Sequence, residues 1–365
     1  MTGPIPQPGI LAISPYIGGE SKAPGIEHPA RLASNENPLG PSPLAAEAYE
    51  KAVRELHRYP DGGASALRAA IGAHYGLDPA AIVCGTGSDE LFALLAGSYA
   101  GPGDEVIHSA HGFLAYPIVA RSAGATPVVA PERNLTTDVD AILASVTERT
   151  RIVFIANPNN PTGSYLPVGE IARLVEGLRP DILLVLDAAY AEYVDRPDYS
   201  AGHALVGRHP NVVVTHTFSK IFALGAARLG WAHCPPAIAD VLNRVRQPFN
   251  VNMPAMQAGI AALADRAHFD RSKAHNDYWR PWLADRLTGF GLHVHPSVAN
   301  FLLVSFRPHD AEQARLFLKS RGVLVRQMGS YGLPDCLRIT IGTEPELAQL
   351  VAGISAFLGR NDVTS

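Results

Sequence analysis

Between residues 81 and 234 short apolar runs recur, and stretches of helical character separate most of them. The runs are "AIVCG" (81–85), "DEVIHS" (104–109), "TPVVA" (126–130), "RIVFIAN" (151–157), "DILLVLD" (181–187), "NVVVT" (211–215) and "RLGWAHC" (228–234). Helical segments such as "SDELFALLAGSYA" (88–100) and "VGEIARLVEGLR" (168–179) lie between them. Near-continuous apolar strands are those of a sheet covered on both faces. Their alternation with helices implies βαβ units and a mainly parallel sheet. The expected fold is α/β, with a three-layer α/β/α large domain around a mainly parallel, mixed sheet.

The pattern changes near Arg266. A polar helix, "HNDYWRPWLADRLTGFG" (275–291), leads into strands "NFLLVSF" (300–306), "VLVRQM" (323–328) and "LRITIG" (337–342), with helices at 309–321 and 344–359. This reads as a smaller α+β domain. Pro and Gly crowd the first 43 residues, which reads as an irregular arm. A helix is expected from Pro43 to about Tyr59, and Ser65 is placed to cap the next one. The expected division is an arm over 1–35, packing with the small domain or a partner subunit, a large domain over 36–265 and a small domain over 266–365.

Composition excludes several classes. Hydrophobic residues make up 47% and charged residues 18%, so a substantial core is available. A net charge of −4 without basic clustering argues against nucleic acid. Cys84, Cys234 and Cys336 are few, odd in number and far apart, which reads as reduced thiols in a cytoplasmic protein without a metal site. The first residues carry no signal-peptide pattern, and no run approaches the roughly 20 apolar residues of a membrane span.

Ligands of open α/β sheets bind beyond the carboxyl ends of strands. The chemically unusual residues fall there. Lys220 follows the sixth strand. Alone, a lysine at such a place is a loop cation; desolvated, it can exchange its charge for an imine with an aldehyde such as that of pyridoxal phosphate. Asp187 ends five apolar residues and either caps a turn or meets a cation, for which a protonated pyridine ring is suited. Tyr190 and Asn160, the latter in "NPNNPTG" (157–163), can hydrogen-bond a phenolate oxygen and lower the pKa of an adjacent imine. "GTGSDE" (85–90) opens a helix straight after a strand, where Gly87, Ser88 and Asp89 sit at a potential anion site. Thr217, Ser219 and Arg228 can complete a phosphate cup. Phe113 either stacks on a ring or packs in the core.

Assembled in order, "LASNENPLGPSP" (32–43), "RYPDGG" (58–63), "GTGSDEL" (85–91), "NPNNPTG", "DAAYAEY" (187–193), "TFSK" (217–220) and "LRITIG" resemble the fold-type I pyridoxal-phosphate aminotransferases, and among them the histidinol-phosphate subgroup. The resemblance runs from the arm to the C-terminus. It implies pyridoxal 5'-phosphate, with Lys220 as the Schiff-base and proton-shuttling lysine and Asp187 as the ring-nitrogen partner. Asn160 and Tyr190 take the 3-hydroxyl, Phe113 the ring face, and Gly87, Ser88, Asp89, Thr217, Ser219 and Arg228 the phosphate end. Tyr59 would reach the cofactor phosphate of a neighbouring subunit, so a homodimer with shared sites is implied. Arg338 would bind a substrate carboxylate, with Asn160 beside it, and Tyr16 and Arg326 a substrate phosphate. The implied reaction exchanges L-histidinol phosphate and 2-oxoglutarate for imidazole acetol phosphate and L-glutamate, in histidine biosynthesis.

The chain departs from its relatives at His216, where arginine is frequent, at Phe222, at Ala226–Ala227 and at His111–Gly112. These touch the pocket wall and bear on substrate choice. Three other readings share much of the pattern: an aromatic or broad-specificity aminotransferase, a phosphothreonine decarboxylase, and a transcription regulator with an aminotransferase-like domain.

Overall fold

The computed structural model describes residues 3–360. Its strands, in chain order, are β1 (Ala30–Leu32), β2 (Ile82–Gly85), β3 (Glu105–Ser109), β4 (Thr126–Ala130), β5 (Glu132–Arg133), β6 (Thr136–Thr137), β7 (Thr150–Ala156), β8 (Leu183–Asp187), β9 (Val212–Thr217), β10 (Gly230–His233), β11 (His293–Val294), β12 (Phe301–Ser305), β13 (Val323–Gln327) and β14 (Cys336–Thr340). Seven form one sheet in the order β2-β10-β9-β8-β7-β3-β4, and five form a second in the order β1-β13-β14-β12-β11. β5 and β6 pair as a small hairpin.

The large sheet is parallel from β9 through β8, β7 and β3 to β4, while β10 runs antiparallel between β9 and β2. Its two faces alternate residue by residue, as a strand's period of two requires. On β7, Ile152, Phe154 and Ala156 pack with Phe92, Leu95, Tyr116 and Leu242 from helices Ser88–Tyr99, Ala115–Ser122 and Pro236–Val245. Val153 and Ile155 face the other way, onto Ile142, Ile171 and Leu174 from helices Val139–Ala144 and Val168–Gly177. Each fully buried Leu, Ile or Phe in these layers contributes about 1.5–3 kcal/mol. The expected three-layer α/β/α arrangement is therefore present.

In the second sheet, Leu302, Val304, Val323, Val325, Leu337 and Ile339 pack on helices Ala311–Ser320, Glu344–Phe357 and Arg266–Gly289. Leu303, Arg326 and Arg338 belong to the opposite face by alternation. Part of the irregular arm joins this sheet: β1 pairs in parallel with β13, Arg31 opposite Leu324.

Three local expectations need correction. The helix that opens at Pro43 ends at Val53 rather than near Tyr59. Ser42 Oγ caps it by accepting from the Leu44 and Ala45 amides. Beyond Val53, amide bonds reach back three residues (Glu55 to Ala52, Arg58 to Glu55), and exposed Leu56 and Tyr59 offer no core face to continue the helix. Ser65 is the first residue of its helix, not the cap; Asp61 accepts from the Gly63 and Ser65 amides at 2.9 and 2.7 Å. The run at 228–234 is strand only over Gly230–His233, because Arg228 has a left-handed backbone, φ 52°.

Candidate active site

Register decides where the chemistry collects. Ala156 lies opposite Asp187, and Asp187 opposite Thr215, so the carboxyl ends of β7, β8 and β9 stop at one level. A cavity of about 570 Å³ opens there. It is lined by Asn160, Asp187, Tyr190, Thr217, Ser219, Lys220 and Arg228, by Ser88, Asp89 and Phe113, and by Tyr16 and Arg338.

Asp187 is 5% exposed and sits on the same sheet face as Val185. Tyr116 donates to its Oδ2 at 2.8 Å, and the Ala189 amide to its Oδ1 at 3.2 Å. Burial pushes its carboxyl up to about 6, against those two hydrogen bonds. It forms no ion pair with a cationic side chain among the described residues. Lys220 is desolvated in the same cavity. Burial, then the nearby Arg338, lowers its ammonium to about 8. Its Nζ lies 5.6 Å from the Tyr190 ring centroid and 3.4 Å from the Ser34 carbonyl. Tyr190 accepts from Asn35 Nδ2 at 2.8 Å, and burial raises its hydroxyl to about 12.

The other end of this floor is a glycine turn closed by Arg228. Helix Ser88–Tyr99 has Gly87 at its N-cap, with no side-chain cap among the described residues, and the first amides of a helix have no partner within it. A Cβ on Gly87, whose φ is +81°, would stand 2.5 Å from Arg228 Nη2. A Cβ on Gly230 would stand 2.5 Å from the Gly87 carbonyl carbon and Ser88 nitrogen. Glycine at both positions lets the turn and the guanidinium close on one space. Arg228 donates to Asp89 Oδ2 at 3.1 Å and Ser219 Oγ at 3.3 Å. Glu90 fixes the turn from behind by accepting from the Thr86 amide and Asn250 Nδ2.

Arg338 is buried and bonds neutral groups: Asn160 Oδ1 at 2.5 Å and the Ala33 carbonyl at 2.9 Å. Among the described residues its Nε has no partner. Arg326 lies directly opposite it in the β13–β14 pairing. Like charges in such a cross-strand pair are destabilising unless an anion is shared.

Two expected residues lie elsewhere. Arg326 lines a neighbouring chamber of about 800 Å³, which shares Tyr16, Gly18 and Ile118 with the first. It donates to the Ile17 carbonyl, and its guanidinium lies 5.8 Å from the Tyr16 ring. Tyr16 in turn meets Phe113 edge-on at 6.3 Å. Tyr59 is 82% exposed, outside both chambers, and stacks on Phe249 at 4.7 Å.

Sequence reasoning missed Tyr116 and Asn35. The first sits in "HGFLAY" one helical turn beyond Phe113, which was the available signal. Asn35 sits in "LASNENPLG" with a left-handed backbone, φ 54°; only its place in that motif marked it.

These features define a class, and comparison agrees. The family model for aminotransferase class I and II matches residues 27–354, and the chain belongs to that family. It is 62% identical to the histidinol-phosphate aminotransferase of Rhodospirillum centenum, over 98% of this chain and 99% of that one. It is 59% identical to the enzyme of the same name from Paramagnetospirillum magneticum, over 98% and 100%. Among solved structures, histidinol-phosphate aminotransferase from Sinorhizobium meliloti in complex with pyridoxal-5'-phosphate is similar, with TM-score 0.89, 27% identity and coverage of 98% and 99%.

Proposed function

We propose that the chain transfers the amino group of L-histidinol phosphate to 2-oxoglutarate, giving imidazole acetol phosphate and L-glutamate, with pyridoxal 5'-phosphate as cofactor. One observation carries the reading: a desolvated amine, Lys220, and a desolvated carboxylate without an ion-pair partner among the described residues, Asp187, line one cavity beside a turn suited to an anion. The near-full-length likeness to relatives of that name supports the choice of substrate.

The donor set fits the cofactor. The Gly87–Ser88 turn, Thr217, Ser219 and Arg228 would hold its phosphate, Asp187 its ring nitrogen, Asn160 and Tyr190 its ring hydroxyl, and Phe113 its face. When bound, pyridoxal phosphate supplies an aldehyde carbon for amine exchange and a ring that accepts electron density when a substrate Cα proton leaves. Asp187, mostly ionised at neutral pH although burial raises its carboxyl to about 6, would keep a proton on the ring nitrogen. Lys220 Nζ, neutral in an appreciable fraction because its ammonium is lowered to about 8, takes and returns the Cα proton. Tyr116 fixes the Asp187 carboxylate, and Asn35 fixes the Tyr190 hydroxyl.

At the substrate end, Arg338 would take a carboxylate of glutamate or 2-oxoglutarate, and Arg326 with Tyr16 the phosphate of histidinol phosphate. Exposed Leu44, Val53, Leu56, Tyr59 and Phe249 lie on and after the helix that opens at Pro43 and on the Phe249 loop. We read them as the face that meets a second copy, to which Tyr59 would be contributed.

The test is glutamate formation by the purified holoenzyme from 2-oxoglutarate with histidinol phosphate or phenylalanine as donor. The expected result is a kcat/KM for histidinol phosphate at least about tenfold higher, one charge-assisted contact's worth. Preference for phenylalanine, or carbon dioxide release from phosphothreonine without glutamate, contradicts it.

A further inference from the structure

The loop that leaves β3 and the hairpin that leaves β4 meet beside the inner cavity. Ser109 lies opposite Ala130 at the ends of those strands, and the Ala110 amide donates to the Ala130 carbonyl at 2.9 Å. His111, Gly112 and Phe113 follow on one side, Pro131 and Glu132 on the other. The Glu132 side chain is only 2% exposed, and a carboxylate taken out of water needs partners. Both of its oxygens go to one residue. The His111 amide donates to Oε1 at 2.9 Å, and His111 Nδ1–H to Oε2 at 2.7 Å. Among the described residues the carboxylate has no other partner.

His111 is held a third time, because Asn159 Nδ2 donates to its carbonyl at 3.1 Å. Gly112 then turns the chain: its amide donates to the Ser109 carbonyl at 2.9 Å, and a Cβ there would stand 3.1 Å from that oxygen. Phe113 comes next and lines the cavity. Its carbonyl accepts from the Tyr116 amide at 3.0 Å, at the start of the helix that brings Tyr116 to Asp187. The hairpin that carries Glu132 is itself anchored. Asn134 and Leu135, with φ 52° and 58°, form the two-residue turn between β5 and β6. The Leu135 carbonyl accepts from Ser164 Oγ at 2.8 Å, and its side chain packs on the cluster of Leu303, Met328 and Tyr331.

We propose that Glu132 is a positioning residue: by gripping His111 at both amide and ring, its carboxylate sets where Phe113 stands against the cofactor ring. This rests on the reading of Phe113 as the residue on the ring face. One carboxylate oxygen satisfies the His111 amide. The second ties down the side chain as well, so the loop cannot turn without giving up a charge-assisted contact. The grip falls two residues before Phe113, at the His111–Gly112 departure, to which the chemistry assigns no role.

The experiment is a double-mutant cycle on the affinity of the full-length chain for pyridoxal phosphate. Phe113→Leu is expected to weaken binding about three- to tenfold, the worth of one aromatic stacking contact. Glu132→Ala is expected to weaken it about threefold in the wild-type background, and less than about 1.5-fold in the Phe113→Leu background, where there is no ring left to position. Glu132→Gln, which keeps an acceptor for the amide and a polar group at the ring nitrogen, should stay within about twofold of wild type. Equal weakening by Glu132→Ala in both backgrounds, the mark of a merely structural residue, overturns the proposal, as does no weakening in either. Glu132→Gln as weak as Glu132→Ala also overturns it. Unchanged binding in Phe113→Leu removes the ring-face reading and the proposal with it; weakening in Phe113→Leu without coupling leaves that reading and removes only the role of Glu132. Should Glu132→Ala not fold, His111→Ala, which keeps the backbone bond and loses the ring contact, takes its place in the cycle and is judged by the same coupling.

Discussion

The two chambers that share Tyr16 are built in opposite ways. The inner one stands on the aligned ends of β7, β8 and β9, and its charged groups, Asp187 and Lys220, are desolvated and shifted toward neutrality. The outer one is walled by the arm, and its charges are mostly spent on each other. Glu20 accepts from Arg315 at 2.9 Å and Lys319 at 2.7 Å, tying the arm to helix Ala311–Ser320. Arg326 holds the arm through the Ile17 carbonyl. Strand register fixes where the inner charges stand, whereas the outer chamber is closed by ion pairs and one backbone bond from the arm.

The contrast can be broken most sharply at Lys220. Lys220→Ala is expected to lower kcat by about 10³-fold or more, because the amine proposed to move the substrate proton is lost. Steady-state turnover with both donors measures it, and a loss below tenfold would remove Lys220 from the chemistry.

Arg338→Gln comes next, at about 10²-fold in kcat/KM for glutamate, since a buried charge-assisted bond to a carboxylate is lost. Arg326→Gln, in the outer chamber, is expected to raise KM for histidinol phosphate about tenfold and to leave KM for glutamate within about threefold. Equal effects on both substrates would erase the proposed division between the chambers.

Asp187→Asn has effects of opposite sign. In the cofactor-free chain the Asp187 carboxyl sits at about 6 rather than 3.8, so folding favours its protonated form. That stability is present below about pH 4 and is lost as pH rises through 6. At neutral pH the asparagine variant should therefore be more stable without cofactor, by up to about 3 kcal/mol, while binding pyridoxal phosphate more weakly. Thermal melts with and without cofactor test both signs.

The inner chamber was readable in the sequence because strand periodicity and strand ends are local properties. "DILLVLD" announces where Asp187 must stand, and "TFSK" where Lys220 follows β9. Tyr116 and Asn35 were marked only by their place beside Phe113 and in the arm motif, not by their own roles. Their roles depend on a helix packing over β8 and on an arm that returns to Tyr190 from 155 residues away. Arg326 was expected, with Tyr16, at a substrate phosphate, and Arg338 at a substrate carboxylate. Their cross-strand pairing brings them together, but Tyr16 and Ile17 stand over Arg326 and place it in the outer chamber. The helix expected to reach Tyr59 failed for a related reason: propensity continues past Val53, but no buried face does.

The most direct measurement is a single-turnover mixing of holoenzyme with L-histidinol phosphate in the absence of any keto acid. The account predicts that the cofactor passes to its amine form with one equivalent of imidazole acetol phosphate per site, and that Lys220→Ala abolishes the conversion at the same substrate concentration. Unchanged cofactor absorbance in the wild type, or equal conversion in Lys220→Ala, would contradict it.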